Sequence, residues 1–491
     1  MNPVTAARAI AGRNSNALLA VVCLGQFMVV LDVSIVNVAL PAIKDSLGFS
    51  TNGLQWVLNG YTLTFAGFLL LGGRAADLFG RRRMFYAGTL LFAGASLLCA
   101  VAPSSGALIA ARGLQGIGGA LLSPATLAII TTSFDEGVPR NRALGAWGAV
   151  GAIGATSGVL LGGVLTEAFS WPAIFLINVP IGIGIVLFSS RLIPEGRSEV
   201  DNRHFDLPGA VLVTAGMVAL TYGIVTTDRL SWGSLGVIAP IAGGVALLAA
   251  FGLYEARLTR HPERVPLMPL TVFRLRNLRA ANLVIFLLYA ATFGFWFFQS
   301  LYMQGTLGYT ALETGLAFVP MTLAVATGAT LAPRIAKRFG ARWALAGGML
   351  SATIGEFLLT GVHPGGSYLA NVLPGGLLGA FGLGLALVPA TIVAVEGVPR
   401  AVSGLASGVL NTSRFIGAAI GLAVLSTIAA HHTSSEVASG TAAATALTDG
   451  FDLQFAVGAV FCLVGVIAAV VLLRPPRAES VPEAIPGAEH A

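Results

Sequence analysis

Gly73–Arg83 reads GRAADLFGRRR and Pro333–Arg342 reads PRIAKRFGAR, so one pattern occurs twice in the chain, with Gly80 answering to Gly340. Each copy is a basic segment between two long apolar runs. Such a segment suits a short loop at a membrane surface, and its recurrence divides the chain into two related halves. Outward from Gly80, runs of the roughly 20 residues that cross a hydrocarbon core of about 30 Å begin near Leu54 and Ala17, and near Met84, Gly106, Ala143 and Pro172. Outward from Gly340 they begin near Ala311 and Arg279, and near Trp343, Asn371, Val402 and Phe451. Two more, Leu207 to Thr227 and Ser234 to Leu258, lie between. The expected fold is an all-α membrane protein of fourteen spans, six plus two plus six.

The corresponding division is an N-terminal six-helix bundle over residues 1–193, a two-helix insert with flanking cytoplasmic loops over 194–278, a C-terminal six-helix bundle over 279–474 and a cytoplasmic tail over 475–491. Composition agrees with a lipid solvent. Of 491 residues 55% are hydrophobic and 10% charged, and the mean hydropathy is +0.83. That exceeds what a water-surrounded core holds.

The net charge of +6 would in a soluble protein suggest nucleic acid, but here the charge reports topology. With both termini cytoplasmic, 24 of the 28 Lys and Arg residues fall on the inner face and only Lys44 and Arg229 on the outer. An even number of spans preserves that asymmetry, and one miscounted helix would scramble it. Arg8 and Arg13 precede an apolar run from Ala17 to about Ile43, longer than a signal sequence needs, so a retained first helix is expected.

Cys23, Cys99 and Cys462 lie inside apolar runs without metal-ligand spacing, which argues against a disulfide or zinc site. Lys44 and Lys337 follow Ile43 and Ala336, so there is no Gly-Lys pair and no Walker A loop for ATP. Neither an enzyme nor a metal or cofactor protein is expected. His431 and His432 are read into an outer loop.

The remaining charged residues sit inside spans, where each costs about 2.5–3.5 kcal/mol by insertion scales and must be paired, neutral or wet. Asp32, in LDVSIVNVALP, lies mid-way along the first span. It is a proton carrier or a structural hydrogen-bond acceptor. Arg112, in ARGLQGIGGA of the fourth span, is its natural partner, because the first and fourth helices of such halves adjoin; the alternative is snorkelling. Gln115 shares the helical face of Arg112. Glu356 in the eleventh span is a second proton-site candidate or a carboxyl bonded to a neighbouring helix.

Gly73, Asp77, Gly80 and Arg81 form a cytoplasmic latch between halves, or merely help to set topology. Gly154, Gly158, Gly162 and Gly163 line one side of the fifth span and permit close backbone approach, as a hinge or a tight helix contact. Tyr289, Phe293, Trp296 and Gln299 of the ninth span, with Asn411 and Arg414 of the thirteenth, are the candidate substrate contacts. An apolar, aromatic surface with few polar anchors suits flat, greasy or cationic ligands, and packing or lipid contact is the competing role of each aromatic.

On LDVSIVNVALP, GRAADLFGRRR, LIAARGLQGIGGA, GATSGVLLGG from Gly154, WPAIFLINVPIG from Trp171 and SGVLNTSRFIG from Ser407, the chain resembles the fourteen-span drug:proton antiporters of the major facilitator superfamily over nearly its whole length. Val159 stands where the family's fifth-helix motif has proline, and Phe415 where glutamine is common. The resemblance implies Asp32 and Arg112 as the coupling pair and Asp77 with Arg81 as the conformational latch.

The expected function is proton-coupled antiport of hydrophobic or cationic drugs across a bacterial plasma (inner) membrane by alternating access. The alternative is export of an endogenous lipid or secondary metabolite. The expected partners are a small-molecule substrate, protons and the lipid bilayer, with no nucleic acid and no ATP, around a monomer. A membrane receptor or scaffold leaves Asp32, Arg112 and the repeat unexplained.

Overall fold

The computed structural model describes residues 3–50, 53–134, 138–193, 206–227, 230–258, 275–395 and 403–473. These fold into helices joined by short links. The first half contains α1 (Pro3–Leu47), α2 (Trp56–Phe79), α3 (Arg81–Ala100), α4 (Ser105–Ser133), α5 (Val138–Phe169), α6 (Ala173–Leu176) and α7 (Asn178–Leu192). Next come α8 (Leu207–Thr226) and α9 (Leu235–Leu258). The second half contains α10 (Arg276–Gly305), α11 (Ala311–Phe339), α12 (Ala341–Leu358), α13 (Leu373–Val395), α14 (Ser403–Ala438) and α15 (Ala443–Leu472). Among the described residues 12 helices are long and apolar enough to cross a membrane. The second and sixth expected spans coincide with α2 and with the broken pair α6 and α7.

Local chemistry explains the ends. Ser104 caps α4 by accepting from the Ala107 N–H, and Thr310 with Glu313 forms a reciprocal capping box at the start of α11. The two copies of the repeat end their helices in the same way: Gly80 has φ 99° and ψ 133°, and Gly340 has φ 88° and ψ 151°. Only glycine takes such positive φ without strain, which is why the register of the repeat runs through these two residues.

The repeat departs from expectation in one respect. Gly73–Phe79 and Pro333–Phe339 are not loop but the last turns of α2 and α11, so each link is a single glycine. Outside the apolar stretch nothing obliges a helix to stop, and a charged segment continues it until a left-handed residue intervenes. For the same reason α15 starts at Ala443 rather than near Phe451, and His431 and His432 ride on α14 rather than on a loop. The expected boundary at residue 194 and the tail 475–491 lie outside the described residues.

Helices α1 to α7 pack on one another, as do α10 to α15. Between these groups α8 lies against both α2 and α14, with Ala210, Val213 and Met217 buried beside Leu63, Leu71 and Ala419. Helix α9 leans on α8, where Gly216 and Gly244 allow the backbones to meet.

Candidate functional site

Asp32 of α1 is wholly buried, and every first-half helix except α5 contributes to its surroundings. From α4, Arg112 Nη1 donates to Asp32 Oδ2 at 2.6 Å and to Gln115 Oε1 at 2.6 Å. Gln115 Nε2 donates in turn to Asp32 Oδ1 at 2.7 Å and to Ser96 Oγ of α3 at 2.7 Å. The Arg112 Nε–H is taken by the Val57 carbonyl of α2 at 2.9 Å. The guanidinium lies over the Tyr61 ring, 4.6 Å from its centroid, with Phe175 of α6 on another side at 5.7 Å. Asn178 completes the set, donating from Nδ2 to Asp32 Oδ1 at 3.1 Å.

The position of Asn178 follows from its sequence context. Pro180 has no N–H to give the Leu176 carbonyl, so the helix breaks between α6 and α7 and Asn178 stands at the break. Three N–H donors therefore converge on one carboxylate whose counter-ion is 1% exposed. A neutral side chain in place of the carboxylate would leave Arg112 without a counter-charge inside a dry nest.

Asp32, Arg112 and Gln115, expected from the sequence to be neighbours, do meet. Asn178, Ser96, Tyr61 and the Val57 carbonyl are members of the site that were not expected. Polar residues within apolar spans were the available signal for the first three, and WPAIFLINVPIG contains Asn178 in plain view. A backbone acceptor leaves no trace in sequence.

Helix α5 covers the opposite face of α1. A Cβ at Gly154 would meet Val30 at 3.3 Å, one at Gly158 the Leu31 carbonyl at 2.9 Å, and one at Gly162 the Ile35 carbonyl at 2.7 Å. Gly163 faces the other half instead, 2.6 Å on the same measure from the Ala311 carbonyl of α11, and Gly315 of α11 approaches the Val159 carbonyl at 2.5 Å. The glycines thus mediate tight contacts along a single unbroken helix, Val138–Phe169.

At the end remote from Gly80 and Gly340 the halves also bond directly. Ser300 Oγ donates to the Asn37 carbonyl at 2.7 Å, Gln304 Nε2 to the Val38 carbonyl at 2.9 Å, and the Leu312 N–H to Glu167 Oε2 at 3.2 Å. In the segment expected to act as a latch, Gly73 lies within the last turns of α2, Gly80 follows them, and Arg81 opens α3 with a buried, unpartnered Nε. The Asp77 side chain lies outside the described residues.

Of the six candidate substrate contacts, four meet. Arg414 Nη1 donates to Asn411 Oδ1 at 2.7 Å and Nη2 to Tyr289 Oη at 2.5 Å, and the Tyr289 and Phe293 rings lie 6.4 Å apart. Trp296 packs on Phe318 of α11 at 5.2 Å, and Gln299 bonds its own helix at the Phe295 carbonyl. Glu356 lies elsewhere, two residues from the end of α12 and 2% exposed. It borders a cavity of about 10 Å³ with Thr292, Phe295 and Cys462, and its Oε2 has no partner.

A multi-span helical protein in two halves, with a buried ion pair in one of them and direct hydrogen bonds between them, has the make-up of a membrane transporter. The match of residues 22–422 to the model of the Major Facilitator Superfamily agrees, and the chain belongs to that family. It is 40% identical over 474 residues to the cephamycin export protein CmcT of Amycolatopsis lactamdurans, covering 96% of this chain and 94% of the relative. It is 38% identical to the puromycin resistance protein pur8 of Streptomyces alboniger, covering 92% and 90%. Among solved structures, the POT family transporter PepTSo superposes with a TM-score of 0.69 over 93% of this chain and 97% of that one; at 17% identity the likeness is one of fold.

Proposed function

We propose that the chain is a proton-coupled antiporter that exports hydrophobic compounds across a bacterial plasma membrane by alternating access, with both termini cytoplasmic. The Asp32 nest is the observation that carries this reading, since a proton taken up there removes the negative charge that holds Arg112 and so weakens the tie between α1 and α4. Relatives named for export or resistance, at 40% and 38% identity over nearly the whole chain, support the direction of transport. The division into six, two and six helices, with α8 and α9 as an insert that spans the seam, belongs to the same proposal.

Release of Arg112 changes how α1 is held, and α1 is also the helix that α5 grips through Gly154, Gly158 and Gly162. Helix α5 in turn meets α11 through Val159 and Gly163. Proton uptake at Asp32 therefore acts on the contact that closes one end of the seam. One proton moving down about 100 mV releases ~2.3 kcal/mol. At ~1.4 kcal/mol per tenfold gradient, that sustains a substrate gradient of about fortyfold.

The test is drug flux driven by an imposed pH gradient in proteoliposomes. Asp32→Asn keeps the shape of the site and removes its proton chemistry, so gradient-driven flux is expected to vanish while downhill exchange persists. Full gradient-driven flux in Asp32→Asn would refute the proposal.

A further inference from the structure

Arg112 and Arg414 both lie over a tyrosine ring, at 4.6 Å from Tyr61 and 4.7 Å from Tyr289, but among the described residues a carboxylate stands beside Arg112 alone of the two. The two hydrogen-bond partners of Arg414, Asn411 and Tyr289, are neutral. Its Nε is buried without a partner, and no carboxylate lies within ion-pair distance among the described residues. A guanidinium offers five N–H donors, and two are used. A charge in an apolar seam without a counter-ion is costly. Structure alone gives this one no reason to be there.

The surroundings form a built site. Tyr289 and Asn411 hold the guanidinium plane from α10 and α14. Phe415, next along α14, packs at 4.5 Å on Phe65 of α2, so an aromatic surface passes from the charged group into the other half. Arg414 is half-buried, so the residue is not sealed off as Arg112 is.

We infer that Arg414 is the anion-recognising group of the substrate site, and that the exported compounds are amphiphiles carrying a carboxylate on an apolar body. The carboxylate oxygens accept from the unused N–H donors of Arg414, a charge-assisted and geometrically specific contact. Phe293 and Phe415 take the apolar body. A cationic compound would instead meet like charge. The transport part of this inference rests on the export reading above, whereas the binding part stands without it.

The experiment uses the full chain in lipid nanodiscs, with no proton gradient, and three ligands that share one ring system: 1-naphthaleneacetate, 1-naphthaleneacetamide and (1-naphthylmethyl)trimethylammonium. Binding is measured to the wild type, Arg414→Gln and Arg414→Lys. The carboxylate is expected to bind the wild type at least about tenfold more tightly than the amide, and the ammonium most weakly. Arg414→Gln should bring carboxylate and amide within about threefold of each other without weakening the amide, and Arg414→Lys should keep part of the preference.

Equal binding of carboxylate and amide to the wild type, no measurable carboxylate binding, or an undiminished preference in Arg414→Gln each overturns the inference. The wild-type series decides the matter even if a variant does not fold. Charge preference absent with gradient-driven export intact removes this inference alone. Preference present with Asp32→Asn still fully coupled removes the proton reading alone.

Discussion

The two arginines within the spans occupy environments of similar shape and opposite electrostatic design. Around Arg112 the charge is cancelled within the fold: Asp32 at 2.6 Å, the Gln115 amide oxygen, the Val57 carbonyl, and 1% exposure. Around Arg414 the same tyrosine-faced geometry is completed by an amide and a phenol, and the buried Nε is among the donors left over. A closed pair can be altered only by changing its own protonation. An open cation can be completed by something that arrives from outside, so the first arrangement suits coupling and the second suits recognition.

This contrast is easiest to break with Asp32→Ala. It leaves a buried guanidinium unpaired, and the loss should be about 3–5 kcal/mol, read as a large drop in thermal midpoint in nanodiscs. The neutral pair Asp32→Asn with Arg112→Gln should recover most of it. A midpoint unchanged in Asp32→Ala would mean that Arg112 is satisfied without Asp32.

Next in size is Asn178→Ala, which removes one donor from the carboxylate and should cost about 1.5–3 kcal/mol as a lost hydrogen bond to a charged group. Denaturant titration of wild type and variant gives the difference. Gly315→Ala presses a methyl group against the Val159 carbonyl, and overpacking of this kind costs about 1–3 kcal/mol. Because the strain falls on the contact that closes the seam, spin-label distances across Asn37 and Ser300 should lengthen.

The smallest effect is expected for Arg414→Gln. It deletes no ion pair, so stability should stay within about 1 kcal/mol of wild type, whereas Arg112→Gln strands Asp32 and should resemble Asp32→Ala. If the two arginine variants destabilise equally, the distinction between the sites collapses.

Much of this was legible in advance because membrane spans contain so few charged groups. Asp32 and Arg112 were the formally charged residues expected inside the first-half spans, and lipid leaves such a pair little choice but to meet. Gly80 and Gly340 were legible as a repeat, since a left-handed turn demands glycine wherever it recurs. The helix ends were not, because helices run on past the apolar segment that betrays them, as Gly73–Phe79 shows. Nor was the grouping of the substrate candidates: Tyr289 and Trp296 are neighbours in sequence, yet one turns to α14 and the other to α11.

By itself, then, the sequence determined that the chain lives in lipid, that its two halves share one pattern, and that Asp32, Arg112 and Gln115 belong together, for these follow from composition, periodicity and the cost of a charge in hydrocarbon. Only the tertiary structure decided that Asn178 and the Val57 carbonyl complete the nest, that α8 seats against both α2 and α14, and that Arg414 has no carboxylate partner among the described residues. Those facts depend on which residues distant along the chain are brought within 3 Å or so by packing, and no local property of a sequence records that.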